Sequence, residues 1–91
     1  MIGIADMIPQ CVQPFFWDVD LGAFQPAEHP AYTIARILEL GDDAAVIWLR
    51  QIFSEEEIKA IIRSDRRLSR RSAHFWALVY RISTEEVAAL H

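Results

Sequence analysis

Cysteine is nearly absent from the chain, with Cys11 alone among 91 residues. One thiol can close no intrachain disulfide and can build no thiolate metal cluster within a single chain, and such sparing use fits a reducing compartment. Glycine is scarce as well, at three, which leaves little from which to shape a phosphate-cradling loop. Neither a nucleophile elbow nor a Cys-His pairing is present. No apolar run approaches the roughly 18 to 20 residues needed to span a bilayer. The stretch Met1 to Ile8 contains Asp6 and lacks the basic start of a signal peptide. These absences lead us to expect a cytoplasmic, unprocessed protein with no membrane partner. His29, His74 and His91 lack the spacing that sets two ligands on one metal. No metal, no cofactor and no catalytic activity are therefore expected.

What the chain does have is apolar mass: 53% of its residues, three Trp and five Phe among them. That is ample for a core and too much for a disordered segment. The length fits a single domain, 1–91, built around one core. A domain this small leaves apolar surface uncovered, which invites a partner chain or a homo-oligomer. The formal charge of −4 argues against a surface that is one broad nucleic-acid footprint. The charge is uneven, however. Residues 1–50 carry two cations against seven anions, and residues 51–91 seven cations against six anions. Any site for a polyanion must lie in the second half.

All four prolines fall between Pro9 and Pro30, where they interrupt any long helix. Residues 1–29 are thus expected to form an extended or turn-rich arm, anchored across the rest of the chain by Phe15, Phe16, Trp17 and Phe24. Asp18, just after these rings, reads as the cap of a helix or a turn. Residues 30–91 read as a helical core. Pro30 and Gly41 punctuate a first helix whose apolar positions are Ala31, Ile34, Ala35 and Leu38. Asp42 or Asp43 starts a second, with Ala45, Trp48, Leu49 and Ile52. Ser54 and Glu57 form a capping box before Ile58, Ile61 and Ile62. Ser69 begins a fourth helix, with Ala73, Trp76, Ala77 and Tyr80 on its inner face, and Ser83 with Glu86 repeats the capping box for a short last one. Period-two alternation is nowhere sustained. The expected fold is all-α: a compact bundle of four to five short helices carrying an N-terminal arm.

Six of the nine cations are crowded between Lys59 and Arg71. At about 100° per residue, Arg70, His74 and Arg81 fall in one sector of the fourth helix, bordered by Arg71 and opposite Trp76 and Tyr80. Residues 55–64, a turn through Arg66 and Arg67, and the helix that follows form a helix-turn-helix-like pair whose exposed first turn can meet phosphates or base edges. The competing reading is that these guanidinium groups keep the surface solvated or pair with Glu55, Glu56, Glu57 and Asp65. A third is that they dock an acidic protein surface. The candidate residues for binding a partner or nucleic acid are Arg63, Arg66, Arg67, Arg70, Arg71, His74 and Arg81. The carboxylates have structural explanations: Asp18 and Asp20 lie in a loop, and Glu55 to Glu57 open a helix where the macrodipole favours them.

The succession Phe16-Trp17-Asp18-Val19-Asp20, Arg36-Ile37-Leu38-Glu39-Leu40-Gly41-Asp42, Trp48-Leu49, Arg67-Leu68-Ser69 and Ala73-His74-Phe75-Trp76-Ala77-Leu78 resembles a family of small bacterial proteins of unknown function. The resemblance runs from about Phe15 to Val87. It departs at Ala35, where the family more often has Glu, and at His74, where it more often has Asn. Members are often encoded beside nucleotidyltransferase-type toxins of the abortive-infection class. The resemblance therefore implies an antitoxin-like protein that binds and restrains such a toxin by steric or allosteric means, and it brings no catalytic residues with it. Two alternatives are a transcriptional regulator, with Arg70, Arg71 and His74 reading bases while Arg66 and Arg67 hold phosphates, and a structural homo-oligomeric domain.

Overall fold

Helix punctuation in the sequence translates directly into local structure. In the computed structural model, which describes residues 8–18 and 24–91, Pro30 opens α1 (Pro30–Leu40) at a position where its missing N–H costs nothing. Asp42 caps α2 (Asp43–Ile52) by accepting a hydrogen bond from the Ala45 amide at 3.0 Å. The capping box of α3 (Glu55–Ser64) forms as expected. Ser54 Oγ accepts from the Glu57 amide at 3.2 Å, and the Glu57 carboxylate accepts from the Ser54 amide at 3.0 Å. Ser69 caps α4 (Arg70–Val79) through the Ser72 amide, at 3.1 Å. Among the described residues there is no strand, so the protein is all-α.

The apolar stripes of the four helices meet in one core. Ile34, Ile37 and Leu38 of α1, Ala45, Trp48 and Leu49 of α2, Ile58 and Ile62 of α3, and Ala73 and Ala77 of α4 are all buried. α1 is central, packing against the other three helices and against the arm. Between Ile8 and Asp18, and again from Phe24, the arm is turn-rich, with short 3₁₀ turns at Gln13–Phe16 and Pro26–Glu28. Phe16 is its principal anchor. It is fully buried, with ring centroids 5.4 Å from Phe24 and 6.2 Å from both Tyr32 and Trp48. Trp17 departs from expectation, since it is 68% exposed and anchors nothing in the core. The expected arm residues 1–7 and 19–23 lie outside the described residues. No helix among the described residues is long and apolar enough to cross a membrane.

The C-terminal end corrects two expectations. Ser83 makes no capping bond, and the last helix is replaced by two 3₁₀ turns, Thr84–Glu86 and Ala88–Leu90. Between them Val87 is fully buried and extended, so its burial in the core breaks what local propensity would have continued. Arg81 does not extend the stripe of α4 either. Its φ of 56° ends the helix in the left-handed region. The Ile82 amide bonds back to Ala77 O at 2.8 Å and the Arg81 amide to Leu78 O at 3.3 Å, the two bonds of a Schellman motif.

Two substitutions separate close approach from backbone strain. A Cβ at Gly41, whose φ is an ordinary −73°, would lie 2.6 Å from Ile37 O and 2.9 Å from Ile37 Cγ2. Gly41→Ala is expected to cost about 1–3 kcal/mol through overpacking. Arg81→Gly, by contrast, removes the penalty of a left-handed side-chain-bearing residue and is expected to raise stability by up to about 1 kcal/mol. Urea unfolding of both variants beside the parent protein checks the two opposite signs.

Candidate partner-binding surface

The turn between α3 and α4 is held by its own ions. Asp65, whose side chain is only 7% exposed, accepts from the Arg67 amide at 2.8 Å and from Arg67 Nε at 3.0 Å, while Arg67 Nη2 pairs with its other oxygen. Hydrogen bonding from Arg67 holds the Asp65 carboxyl below its ordinary range against the opposing effect of burial. The same contact raises Arg67. Arg67 is thus engaged in closing the turn.

The N-terminus of α4 is likewise occupied. Glu39, from the last turn of α1, accepts from the Ser69 amide, from Ser69 Oγ at 2.9 Å and from Ser72 Oγ at 2.6 Å. Burial pushes the Glu39 carboxyl up, but the bonds from Ser72 and Ser69 together outweigh it and leave its pKa below the ordinary 4.5. The place where a phosphate would meet the helix dipole already holds an internal carboxylate.

The other candidate cations are distributed unequally. Arg63 lies 3.9 Å from Glu86 and Arg70 reaches Leu90 O at 3.4 Å, two loose ties to the C-terminal turns. Lys59 stands 3.9 Å from both Glu55 and Glu56. Arg81 sits past the helix end and does not join Arg70 and His74. Arg66, Arg71 and His74 are exposed and have no ion pair or side-chain hydrogen bond among the described residues.

What the sequence reasoning missed is on α4 itself. Ala73 and Ala77 are fully buried on its inner side. Trp76 Nε1 donates to Leu38 O at 2.8 Å, satisfying a carbonyl that the end of α1 leaves open. Arg50 Nε donates to the Tyr80 hydroxyl at 3.1 Å. With Trp76 half-buried and Tyr80 buried on the inner side, three other large residues point outward. Phe75 is 55% exposed and Leu78 65%, joined by Val79 and, from α2, by Ile47 at 61%. The Phe75 and Trp76 rings stand edge to face, with centroids 5.0 Å apart, as a ridge shared by two open hollows. One, of about 630 Å³, lies between α2 and α4 and is lined by Asp43, Ile47, Arg50, Phe75 and Val79. The other, of about 570 Å³, lies toward α1 and is lined by Glu39, Arg71, His74, Phe75 and Leu78. The signal was present in Phe75-Trp76-Ala77-Leu78-Val79-Tyr80, six consecutive apolar residues that necessarily clothe every side of a helix, only one of which can face the core.

A second cluster binds the arm to α1. Asp18 accepts from the Tyr32 hydroxyl and from Arg36 Nη2, each at 2.7 Å, and the Arg36 guanidinium lies between the rings of Trp17 and Tyr32, 4.6 and 4.9 Å from their centroids. The bond from Tyr32, followed by that from Arg36, lowers the Asp18 carboxyl. Asp18 is thus a pin between the arm and α1. Among the described residues, no group of three or more His, Cys, Asp or Glu side chains is placed to hold a metal ion.

A family model described as a family of unknown function, DUF6922, matches residues 12–62. The matched stretch takes in the anchoring part of the arm, α1, α2 and α3 as far as Ile62, and stops before the basic turn and α4. No curated protein sequence and no solved structure matches the chain.

The pKa of Glu39 lies below its ordinary value, so the group contributes stability that is present above pH 4.5 and lost as pH falls through the lowered value. Asp18 and Asp65, also lowered, act in the same direction at slightly lower pH. Stability is therefore expected to fall progressively below about pH 4.5. Glu39→Gln is expected to cost about 1–2 kcal/mol at neutral pH and to flatten the acid limb. Urea titrations across a pH series measure both effects.

Proposed function

Because the chain belongs to the DUF6922 family, a membership that assigns it no chemistry, we propose from its surface that it is a non-catalytic, antitoxin-like module that docks a cognate protein through the outer face of α4 and α2. The observation that carries this reading is the exposure of Phe75, Leu78 and Val79 beside Ile47. Apolar side chains grouped in this way gain about 25 cal/mol per Å² on being covered, and such patches mark interaction sites more often than chance. Arg71 and His74 at the edge of the face, and Arg66 beyond it, supply the polar rim that speeds encounter and selects an acidic partner. The resemblance to proteins encoded beside nucleotidyltransferase-type toxins supports a toxin of that class as the partner, restrained by steric or allosteric means.

The rival role is a DNA-binding regulator reading a groove with α4. Two features weigh against it. Glu39 already sets a negative charge at the start of α4, on the Ser69 amide and the Ser72 hydroxyl, and Phe75, Leu78 and Val79 on its outer side are apolar. A regulator of that kind would also lose affinity steeply with added salt.

Co-expression with the product of the neighbouring reading frame, followed by size exclusion, tests the proposal. The wild-type chain is expected to co-elute with that product. Phe75→Glu is expected to weaken the complex by about 2 kcal/mol or more, the scale of a central interface residue, without loss of helical content. Arg70→Ala combined with Arg71→Ala is expected to leave the complex largely intact. Separate elution of the wild-type pair, together with salt-sensitive, sequence-specific DNA binding, would instead establish the regulator.

A further inference from the structure

The apolar face has an exposed acid, Asp43, on one flank and an exposed guanidinium, that of Arg71, on the other. The hollow on the α2 side of the Phe75–Trp76 ridge has Asp42 and Asp43 at its end, and the hollow on the α1 side is edged by Arg71 and His74. Asp42 is engaged as the cap of α2, Arg50 by Tyr80, and Glu39 by Ser69 and Ser72. Asp43, Arg71 and His74 are exposed and have no side-chain partner among the described residues. Two unpaired charges of opposite sign, Asp43 and Arg71, thus flank the Phe75–Trp76 pair, which borders both depressions.

A surface of this kind is complementary to itself. Under a two-fold rotation, an acidic flank meets a basic one, and a ridge can enter a hollow of the other copy. An isologous contact makes each such pairing twice. A rim of a single sign would repel its own copy, as like charges do across an interface. We infer that, in the absence of its partner, the protein covers the α2–α4 face with a second copy of itself, Asp43 of each chain meeting Arg71 of the other, so that self-association and partner binding exclude one another. The inference rests on the docking role proposed for this face and adds the occupant that holds it at rest. It also accounts for how a domain with little interior tolerates Ile47, Phe75 and Leu78 more than half exposed.

Sedimentation equilibrium of the full chain tests the inference directly. The wild-type protein is expected to be dimeric and Phe75→Glu monomeric, with the same far-ultraviolet circular dichroism. Asp43→Lys and Arg71→Glu are each expected to weaken the dimer about tenfold, since two symmetry-related pairings become repulsive together. Combining the two substitutions in one chain, or mixing the two single variants in equal amounts, is expected to bring affinity back to within about threefold of wild type. A monomeric wild-type chain, a dimer indifferent to Phe75→Glu, or a double variant no better than the singles overturns the pairing. A complex with the neighbouring frame's product in which this chain remains paired through the face overturns the exclusion. Failure of the docking role is separately visible, as a Phe75→Glu chain that dissociates to monomer yet still co-elutes with that product.

Discussion

A single carboxylate, that of Glu39, holds the first turn of α4 against the last turn of α1. Three donors from Ser69 and Ser72 converge on it, and they include a backbone amide that a helix start would otherwise leave to solvent. Trp76 completes the attachment two turns later by donating to Leu38 O. Ala73, between these two points, and Ala77, just beyond them, face the core. α4 is therefore fixed in rotation as well as position, and this rotation decides which side chains the protein presents. Were the helix free to turn, Phe75 and Leu78 would be the natural candidates for burial.

The result, with Phe75, Leu78 and Val79 outside while Ala73 and Ala77 share the inner side with Trp76 and Tyr80, leaves more apolar surface uncovered than stability alone would select. It also changes the meaning of the arginine-rich segment. Arg67 is bound into the turn by Asp65, while Arg63 and Arg70 lean toward the C-terminal turns. Arg66, Arg71 and His74 face solvent. Only Arg71 and His74 edge the apolar face, as a rim to an adhesive centre and not as a separate basic footprint.

Much of the fold was legible because it is written in local chemistry. Pro30, Asp42, Ser54 with Glu57, and Ser69 each start a helix for reasons confined to a few residues. Legibility failed where a distant contact overrode a local preference. Ser83 and Glu86 carry a capping pattern, yet the burial of Val87 dictates two 3₁₀ turns. Helical periodicity placed Arg81 beside Arg70, but the chain turns at Arg81 itself and Ile82 is buried. Asp18 gave no sign in the sequence of its partners Tyr32 and Arg36, which are 14 and 18 residues away. For the surface, the sequence could locate the cations and name Asp65 among their partners, but the geometry of the turn decides that Asp65 takes Arg67. The run from Phe75 to Tyr80 did carry a signal, but which of its sides would be left uncovered depended on packing against α1.

The clasp of Asp18, Arg36 and the two flanking rings has a further consequence for how so small a chain is tethered. Domains of this size often rely on covalent cross-links that shorten the unfolded chain, which a single cysteine cannot provide. Here an ion pair wedged between two aromatic planes closes an 18-residue segment and performs a comparable topological task without a covalent bond. Such a fastening is weaker than sulfur chemistry and indifferent to reductants. It responds to ionic strength and proton concentration instead, so the attachment of the arm is governed by the composition of the surrounding solution and not by its redox state.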